Sequence, residues 1–294
     1  MAGAENEYLT TGELADLLRI KERKVYDLAA SGEVPCVRVV GKLLFPRREI
    51  ENWIARHRSG PSGGAAAPRP PVVLGSHDPL LDWALKQSGS GLASLFDGSF
   101  DGLARFANGE GQASGLHIRD GATGSWNIEA VRARFGEAPV VLVEWARRQR
   151  GLILGPGAGE KVGRIADLKG RKLAARQKSA GSQALLEHLL ADAGIADDVT
   201  FSEVARSETD AALAVREGKA DAAFGLSSPA RQYGLAFVPV IEERFDLMVC
   251  RRAWFEPAMQ KLIAFCHSPA FGEKAGELGG YDVSSFGTVH FNGG

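Results

Sequence analysis

Two short runs, Gly75-Ser76-His77-Asp78 and Asp97-Gly98-Ser99, place hydroxyl, imidazole and carboxyl groups at the ends of apolar segments. Each stands where a strand is expected to turn into a helix. A helix N-terminus offers converging backbone N–H groups, and Ser76 and Ser99 add hydroxyl donors, so the chemistry they suit is capture of a small oxyanion. Serine is equally a routine helix cap, and that role stands beside the first. His77 and His117 can donate to a ligand or sense its charge. Asp78 and Asp120 repel an anion unless they orient neighbouring donors; toward an organic or cationic ligand they become direct contacts. Ser76, His77 and Asp78 have the composition of a catalytic triad, but adjacent residues rarely present triad geometry. The run LGPGAGEKVG lacks the GK[ST] ending of a phosphate loop, HExxH is missing, and no GxSxG elbow stands at a strand-to-helix turn. Cys36, Cys250 and Cys266 fit no zinc spacing and read as buried or incidental thiols. The chain is therefore expected not to be an enzyme, with no catalytic residues, metal or cofactor beyond a bound ligand.

A second set of residues has a different chemistry. Thr11, Lys21, Arg23, Lys24, Tyr26, Arg38, Lys42 and Arg47 lie within the first fifty residues and can meet phosphates or base edges of a duplex. The elements around them are legible. Thr10 or Thr11 caps a helix whose Leu14, Leu17 and Leu18 form an apolar stripe, with Glu13 and Asp16 in its first turns. Arg19-Ile20-Lys21 makes a turn. A second helix runs from about Glu22 to Ala30 with Val25, Leu28 and Ala29 inward, and Gly32 ends it. Cys36–Val39 and Lys42–Phe45 form a hairpin about Val40-Gly41. Pro46 ends the second strand, and Arg47–His57 returns as a helix holding Ile50, Trp53 and Ile54 against the core. From Met1 to Arg58 there are ten Lys/Arg and nine Asp/Glu, so this region is hardly basic overall. One copy would bind DNA weakly, and a homodimer is expected to supply a second reader.

Ser59–Pro71, SGPSGGAAAPRPP, has no apolar periodicity and reads as a linker. Beyond it, short apolar strands alternate with helical stretches. Strands are expected at Val72–Leu74, Leu92–Phe96, Ala113–Ile118, Gly151–Leu154, Leu173–Ala175, Ala222–Gly225, Phe237–Val240 and Phe245–Cys250. Helices are expected at Pro79–Ser88, Phe100–Asn108 and Ser182–Ala193. The alternation implies an α/β fold with mostly parallel sheet. At 294 residues there is chain enough for two or three cores, and the net charge of −1 predicts no general affinity for nucleic acid. No apolar run approaches the roughly 20 residues that cross a bilayer. The N-terminus lacks a basic start and an apolar stretch, so a cytoplasmic location without membrane contact is expected.

The markers LTTGELADLL, KVYDLAASGEVP, VGK, a strand ending in Phe45, and EIENWI resemble the excisionase-type winged helix-turn-helix, a relative of the MerR reader. Family members usually carry two glycines in the wing turn; here Val40 replaces the first. From Val72 to Gly287, GSHDPLLDW, DGSFDGLARFANGEGQASGLHIRD, TGSWN, RRQRGLILGPG, DLKGRKLAARQKSAGSQALLEHLL, GKADAAFG and YGLAFVPVIEERFDLMV resemble the periplasmic-binding-protein superfamily, near its molybdate- and tungstate-binding members. The resemblance implies a two-lobed domain over 72–294 following a winged helix-turn-helix at 8–58 and a linker at 59–71. Lobe one would take 72–149 and 241–294, and lobe two 150–240. The ligand would sit in the cleft between them. The resemblance adds Trp126 and Asn127 as cleft residues, although Trp126 can equally serve the core. It also adds Arg176, Gln177, Ser179 and Ser182 at the mouth of a helix. Where the family has NRQ and then GSGTR, this chain has ARQ and SAGSQ. The final arginine is absent, which removes an anion-pairing group, while Arg176 persists. Asp221 is expected to be structural.

The leading expectation is a one-component transcriptional regulator whose DNA affinity responds to a small molecule, with molybdate or tungstate among the candidates. The alternatives are a ligand-binding protein whose N-terminal module docks to protein, and an enzyme on a binding-protein fold.

Overall fold

A computed structural model describes residues 7–56, 68–156 and 162–294. The N-terminal methionine-to-asparagine stretch, most of the expected linker, His57 and the centre of the glycine loop at 157–161 lie outside the described residues. The chain divides into two compact units, Met1–Pro68 and Arg69–Gly294.

The first unit runs β1 (Tyr8–Leu9), α1 (Thr11–Leu18), α2 (Glu22–Ala30), β2 (Val37–Val39), β3 (Lys42–Pro46) and α3 (Arg47–Arg56). Thr10 caps α1 in a reciprocal box: Glu13 N donates to Thr10 Oγ1 at 3.3 Å, and Thr10 N donates to Glu13 Oε2 at 2.7 Å. Such a cap contributes about 1 kcal/mol. Arg19 ends α1 in the left-handed region, and Gly32, with φ of 73°, follows α2. Leu14, Val25, Phe45 and Ile50 are completely buried and form the centre of a small core. β2 and β3 pair antiparallel, Val39 opposite Lys42, so the turn has two residues. Val40 and Gly41 both have positive φ, 48° and 75°, the pattern of a type I′ turn that matches the twist of the strands. For an L-residue this conformation costs about 1–2 kcal/mol, and a β-branched one is an outlier there.

The second unit is built on one curled mixed sheet. Its first half contains β4 (Val72–Gly75), α4 (Pro79–Gln87), β5 (Ala93–Phe96), α5 (Ser99–Ala107), β6 (Ala113–Leu116), α6 (Ile128–Phe135) and β7 (Val140–Leu154). Then come β8 (Lys172–Arg176), α7 (Gly181–Asp192), β9 (Thr200–Ala205), α8 (Glu208–Arg216), β10 (Ala222–Leu226), α9 (Ser227–Gln232) and β11 (Ala236–Cys250). It ends with α10 (Arg251–Trp254), α11 (Pro257–Cys266), α12 (Pro269–Leu278), β12 (Tyr281–Asp282) and β13 (Val289–Asn292). Strand order is β5-β4-β6-β11-β7-β10-β8-β9, with β12 and β13 on β7.

β5, β4 and β6 run parallel, as do β9, β8 and β10. Between these blocks β7 and β11 are antiparallel and each 15 residues long. The expectation of a mostly parallel sheet is therefore corrected to a mixed one. The separate strands expected at Phe237–Val240 and Phe245–Cys250 are one strand. It is long because its polar middle, Glu242-Glu243-Arg244, is paired with Gln149, Arg148 and Arg147 of β7. Bulges at Pro239/Ile241 and Phe245/Asp246 bracket that middle and bend the strand as it passes from one lobe to the other.

Each lobe has apolar packing on both sheet faces. In the first lobe Leu80, Leu81, Trp145, Phe245 and Phe271 lie on one side, and Leu74, Phe106, Val131 and Met248 on the other. In the second, Leu152, Leu168, Leu186 and Phe224 oppose Ile153, Ala212 and Val215. Fully burying a side chain such as Phe106 contributes about 1.5–3 kcal/mol.

Candidate functional site

The first unit presents a cationic face. Lys21 stands at the N-cap of α2, Arg23 and Lys24 in its first turn, and Tyr26, about half exposed, one step on. Arg38 and Lys42 flank the hairpin tip. Lys21, Arg23, Lys24, Arg38 and Lys42 are exposed and make no ion pair among the described residues. An open groove of about 480 Å³ runs between Thr11, Tyr26, Arg38, Gly41 and Lys42. Arg47 is half-buried at the start of α3 and acts on Glu13 electrostatically. Arg23 and Lys24, beside Glu22 in the first turn of α2, and the basic hairpin offer cations that can meet the phosphates flanking a major groove.

In the second unit the two lobes touch directly. Ser76 follows β4 and Ser99 opens α5, and their hydroxyls are 2.8 Å apart. Ser99 Oγ also accepts from the His117 amide at 3.1 Å. The Phe100 amide donates to Ser179 O of the second lobe at 3.1 Å, and Ser179 Oγ donates to Asp97 O at 2.5 Å. Glycines permit this approach. A Cβ on Gly181 would lie 2.7 Å from His117 O, and one on Gly98, whose φ is 109°, would collide with Ser179 O. Beside the serines, α7 begins without a side-chain cap. No acceptor among the described residues meets the amides of Gly181 and Ser182 or the buried Ser182 hydroxyl. Two cavities flank the closed centre. One, of about 130 Å³, is lined by Phe100, Arg119, Gly181, Leu185 and His188. The other, of about 380 Å³, is lined by Pro79, Thr209, Ser228, Arg231 and Glu277.

A chain of alternating charges runs behind the serines. Asp78, on the first lobe, caps α4 through the Leu81 amide at 2.7 Å and pairs with Arg148 Nη1 at 2.7 Å. Tyr281 Oη donates to the same carboxylate at 2.6 Å. Arg148 also pairs with Glu243, its cross-strand partner, and Arg150 meets Glu243 at 2.7 Å. Arg150 continues to Glu208 at 3.1 Å, and Glu208 to Arg176 at 3.1 Å, which brings the chain into the second lobe. All six charged groups are buried. Three arginines against three carboxylates leave no net charge, so the cluster satisfies itself. Burial pushes the Glu208 carboxyl up, but Arg150 and Arg176 outweigh it and hold it at about 2. Glu243 is held well below the carboxylate range, where Arg148 and Arg150 overcome desolvation. His117, with Nδ1 3.1 Å from Glu243, has its pKa lowered, burial outweighing that carboxylate.

The remaining expected residues fall in three places. His77 packs edge-on against Phe96, with its pKa lowered by burial and Nδ1 without a hydrogen-bond partner among the described residues. Asp120 closes its own turn, accepting from the Thr123 amide at 2.7 Å. Asn127, buried with φ of 63°, accepts from the Ile118 amide at 2.6 Å and donates to Asp246 at 2.8 Å. Trp126 packs beside the second-lobe core. Arg176 donates to the carbonyls of Ala205 and Arg206 in addition to its pair with Glu208, and Gln177 donates to Arg206 O. Asp221 accepts from the Lys172 amide at 2.7 Å. The structure thus joins Ser76, Ser99, His117, Ser179 and Ser182 at the seam, and ties Asp78 and Arg176 into the charge chain. Arg148, Arg150, Glu208, Glu243 and Tyr281 escaped the sequence reading. Two signals were available: arginines at alternate positions of RRQRG, on one face of a strand, and the Ser207–Asp210 capping box that puts Glu208 at a helix start.

A winged reader joined to a two-lobed binding fold defines a class in which one unit faces DNA and the other encloses a small molecule. The description "PBP superfamily domain" matches residues 82–267, and the chain belongs to that superfamily. A helix-turn-helix domain matches residues 8–58, so the fusion of an excisionase-like reader to a binding-protein-like domain is established. The pair fits a ligand-sensing DNA-binding regulator. The chain is 25% identical to the uncharacterized protein YvgK of Bacillus subtilis (strain 168) over 97% of this chain and 98% of that protein. Among solved structures it resembles a putative phosphate ABC transporter substrate-binding protein with bound phosphate from Clostridium perfringens. There the TM-score is 0.50 and the identity 11%, over 70% of this chain and 96% of that one. An ancestral amino acid-binding protein, a precursor of cyclohexadienyl dehydratase, gives a TM-score of 0.49 and 14% identity over 70% and 93%.

Proposed function

We propose that the chain is a cytoplasmic, homodimeric transcriptional regulator that takes a small oxyanion between its lobes. Residues 8–58 form the reader, 59–71 the linker and 72–294 the sensor. The observation that carries the ligand class is the seam itself. The Ser76 and Ser99 hydroxyls meet on one side of the seam, and on the other the Gly181 backbone lies against His117, with the amides of Gly181 and Ser182 and the Ser182 hydroxyl without an acceptor among the described residues. These are neutral groups on both sides of the seam that can donate, which suits a tetrahedral oxyanion even though the arginines behind them are already neutralised. Molybdate, tungstate and phosphate are the candidates. The ligand enters when the lobes part and favours their closure, and the difference in affinity between the two lobe arrangements is what paired readers report.

The test has two arms. In a thermal-shift screen of molybdate, tungstate, sulfate and phosphate, a bound anion raises the melting temperature by mass action, and Ser99→Ala diminishes the rise. In footprinting of the chain on its own promoter, with and without the same anions, protection depends on the anion. No DNA protection under any condition defeats the regulator reading; protection indifferent to every anion defeats the oxyanion.

A further inference from the structure

We infer that the cavity of about 380 Å³ is a second ligand site, built for a small organic anion that carries hydroxyl groups, with Arg231 taking its carboxylate or phosphate. The inference goes beyond the oxyanion proposed at the seam and stands without it.

The cavity is separate from the seam. None of Ser76, Ser99, Gly181 and Ser182 lines it. Pro79 and Thr209, which do, follow Asp78 and Glu208 in the chain, so it borders the buried charges instead. Its volume lies in the range of small-molecule sites, whereas the 130 Å³ of the cavity on the other flank falls below that range.

The polar lining selects the ligand's chemistry. Arg231 is exposed and makes no ion pair or hydrogen bond among the described residues. Its guanidinium is nonetheless seated: it rests against the backbone of Gly279, where φ is 75° and a Cβ would collide with Nη1. A seated guanidinium with a free fork of donors matches a carboxylate or phosphate. Glu277, in the same lining, is already held by Lys274 at 3.0 Å, so the charge left to balance is that of Arg231. Ser228 is buried, and its hydroxyl has no hydrogen-bond partner among the described residues. A polar group left in that condition calls for a partner, and a small χ1 rotation turns it toward the cavity. Thr209 and Gln232 add a hydroxyl and an amide. These three neutral groups can both donate and accept, which suits alcohols and not a second charge. Pro79 and Leu278 supply apolar surface for the carbon frame between the alcohols. Pro79 and Leu278 belong to the first lobe and Thr209, Ser228 and Arg231 to the second, so an occupant ties the two lobes together.

The experiment titrates the full chain with D-gluconate and with glucose 6-phosphate, and separately with glucose, acetate and inorganic phosphate, by thermal shift and calorimetry. Gluconate, glucose 6-phosphate or both should raise the melting temperature, and the one that does identifies the acid group. Glucose and acetate at the same concentration should not. Arg231→Gln, a surface change, should keep the melting temperature of the free chain and weaken the hydroxylated anion at least tenfold, the scale of a charge-assisted hydrogen bond. Arg231→Lys should recover part of that loss. Ser228→Ala should not lower the melting temperature of the free chain, since its hydroxyl has no bond to lose, yet should weaken the same ligand several-fold. Ser99→Ala, at the seam, should leave this binding unchanged. No response of the parent to either hydroxylated anion overturns the inference, and so does a response that survives Arg231→Gln. A response removed by Ser99→Ala but not by Arg231→Gln places the ligand at the seam and overturns it as well. Absence of any response to inorganic anions, with the Arg231-dependent response intact, defeats the seam oxyanion alone.

Discussion

Arg150 and Glu243 meet at 2.7 Å in the middle of the two strands that pass through both lobes, and solvent reaches neither side chain. Glu243 also holds Arg148 and His117, so one carboxylate bridges two guanidinium groups from the same strand. Glu243→Gln preserves the shape but leaves two buried cations short of a partner. Removing one member of a buried pair destabilises by about 3–5 kcal/mol. Urea unfolding of the full chain should show that loss in the second unit's transition. Glu277→Ala, at an exposed pair with Lys274, should change stability by less than about 1 kcal/mol.

Relative to an Asp246→Asn variant, the parent should lose stability as pH rises from about 4 to about 6, while buried His77 and His117, with lowered pKa values, act in the opposite sense in both proteins. Burial raises the Asp246 carboxyl from 3.8 to about 6, against the pull of Arg244 and Asn127. Between those values the folded chain holds a proton that the unfolded chain has released. The stabilisation is complete below 3.8 and is lost as pH passes the folded value, an effect of about 3 kcal/mol. Glu208 acts in the opposite sense and lower down: held at about 2, it contributes above its ordinary 4.5 and fails on acidification toward 2. Asp246→Asn should therefore remove this fall from the upper window and leave the acid limb. An unchanged slope between pH 4 and 6 would assign the upper window to other groups.

The seam between the lobes should be adjustable through one methyl group. A Cβ at Gly181 would sit 2.7 Å from the backbone oxygen of His117, and neither side has a flexible side chain that can move aside. Gly181→Ala should hold the lobes slightly apart and weaken the bond from the Phe100 amide to Ser179 O. Hydrogen exchange at Phe100 should accelerate by roughly tenfold, while amides of the first-lobe core such as Leu74 stay protected. Phe100 exchange at the parent rate would mean that closure tolerates the methyl.

Local signals carried much of the fold. Thr10 with Glu13, Gly32, and the alternation around Val72–Gly75 each act within a few residues, and the structure places the expected elements there. What escaped was non-local. In VVLVEWARRQRGLIL the charges at 144, 147, 148 and 150 interrupt the apolar pattern, so only its end, Gly151–Leu154, read as strand. The arginines at 148 and 150 are compatible with a sheet interior because Glu243 arrives on β11, about a hundred residues later, and meets both. The seam was legible in part, as Ser76 and Ser99 stand at turns that composition reveals. The arginine–carboxylate chain was not: Asp78 and Arg176 read as ligand contacts, and Arg148, Arg150, Glu208 and Glu243 look like surface charges until their partners are known.

Binding of duplex DNA should be steeply salt-dependent despite the chain's net charge of −1. Counterion release follows the phosphates neutralised locally, not the total charge of the protein. Lys21, Arg23, Lys24, Arg38 and Lys42 are exposed and without ion pairs among the described residues, so all five are available at no cost of breaking an internal bridge. If each meets one phosphate, the slope of log K against log salt is about −4.5 for each reader. Lys24→Ala should weaken binding similarly on all sequences and reduce the steepness by about 0.9 per reader engaged. Arg105→Ala, in the second unit and already paired with Asp101 and Glu110, should leave the slope unchanged. A Lys24→Ala slope equal to the parent's would remove the first turn of α2 from the phosphate contacts and place the duplex on another face of the reader.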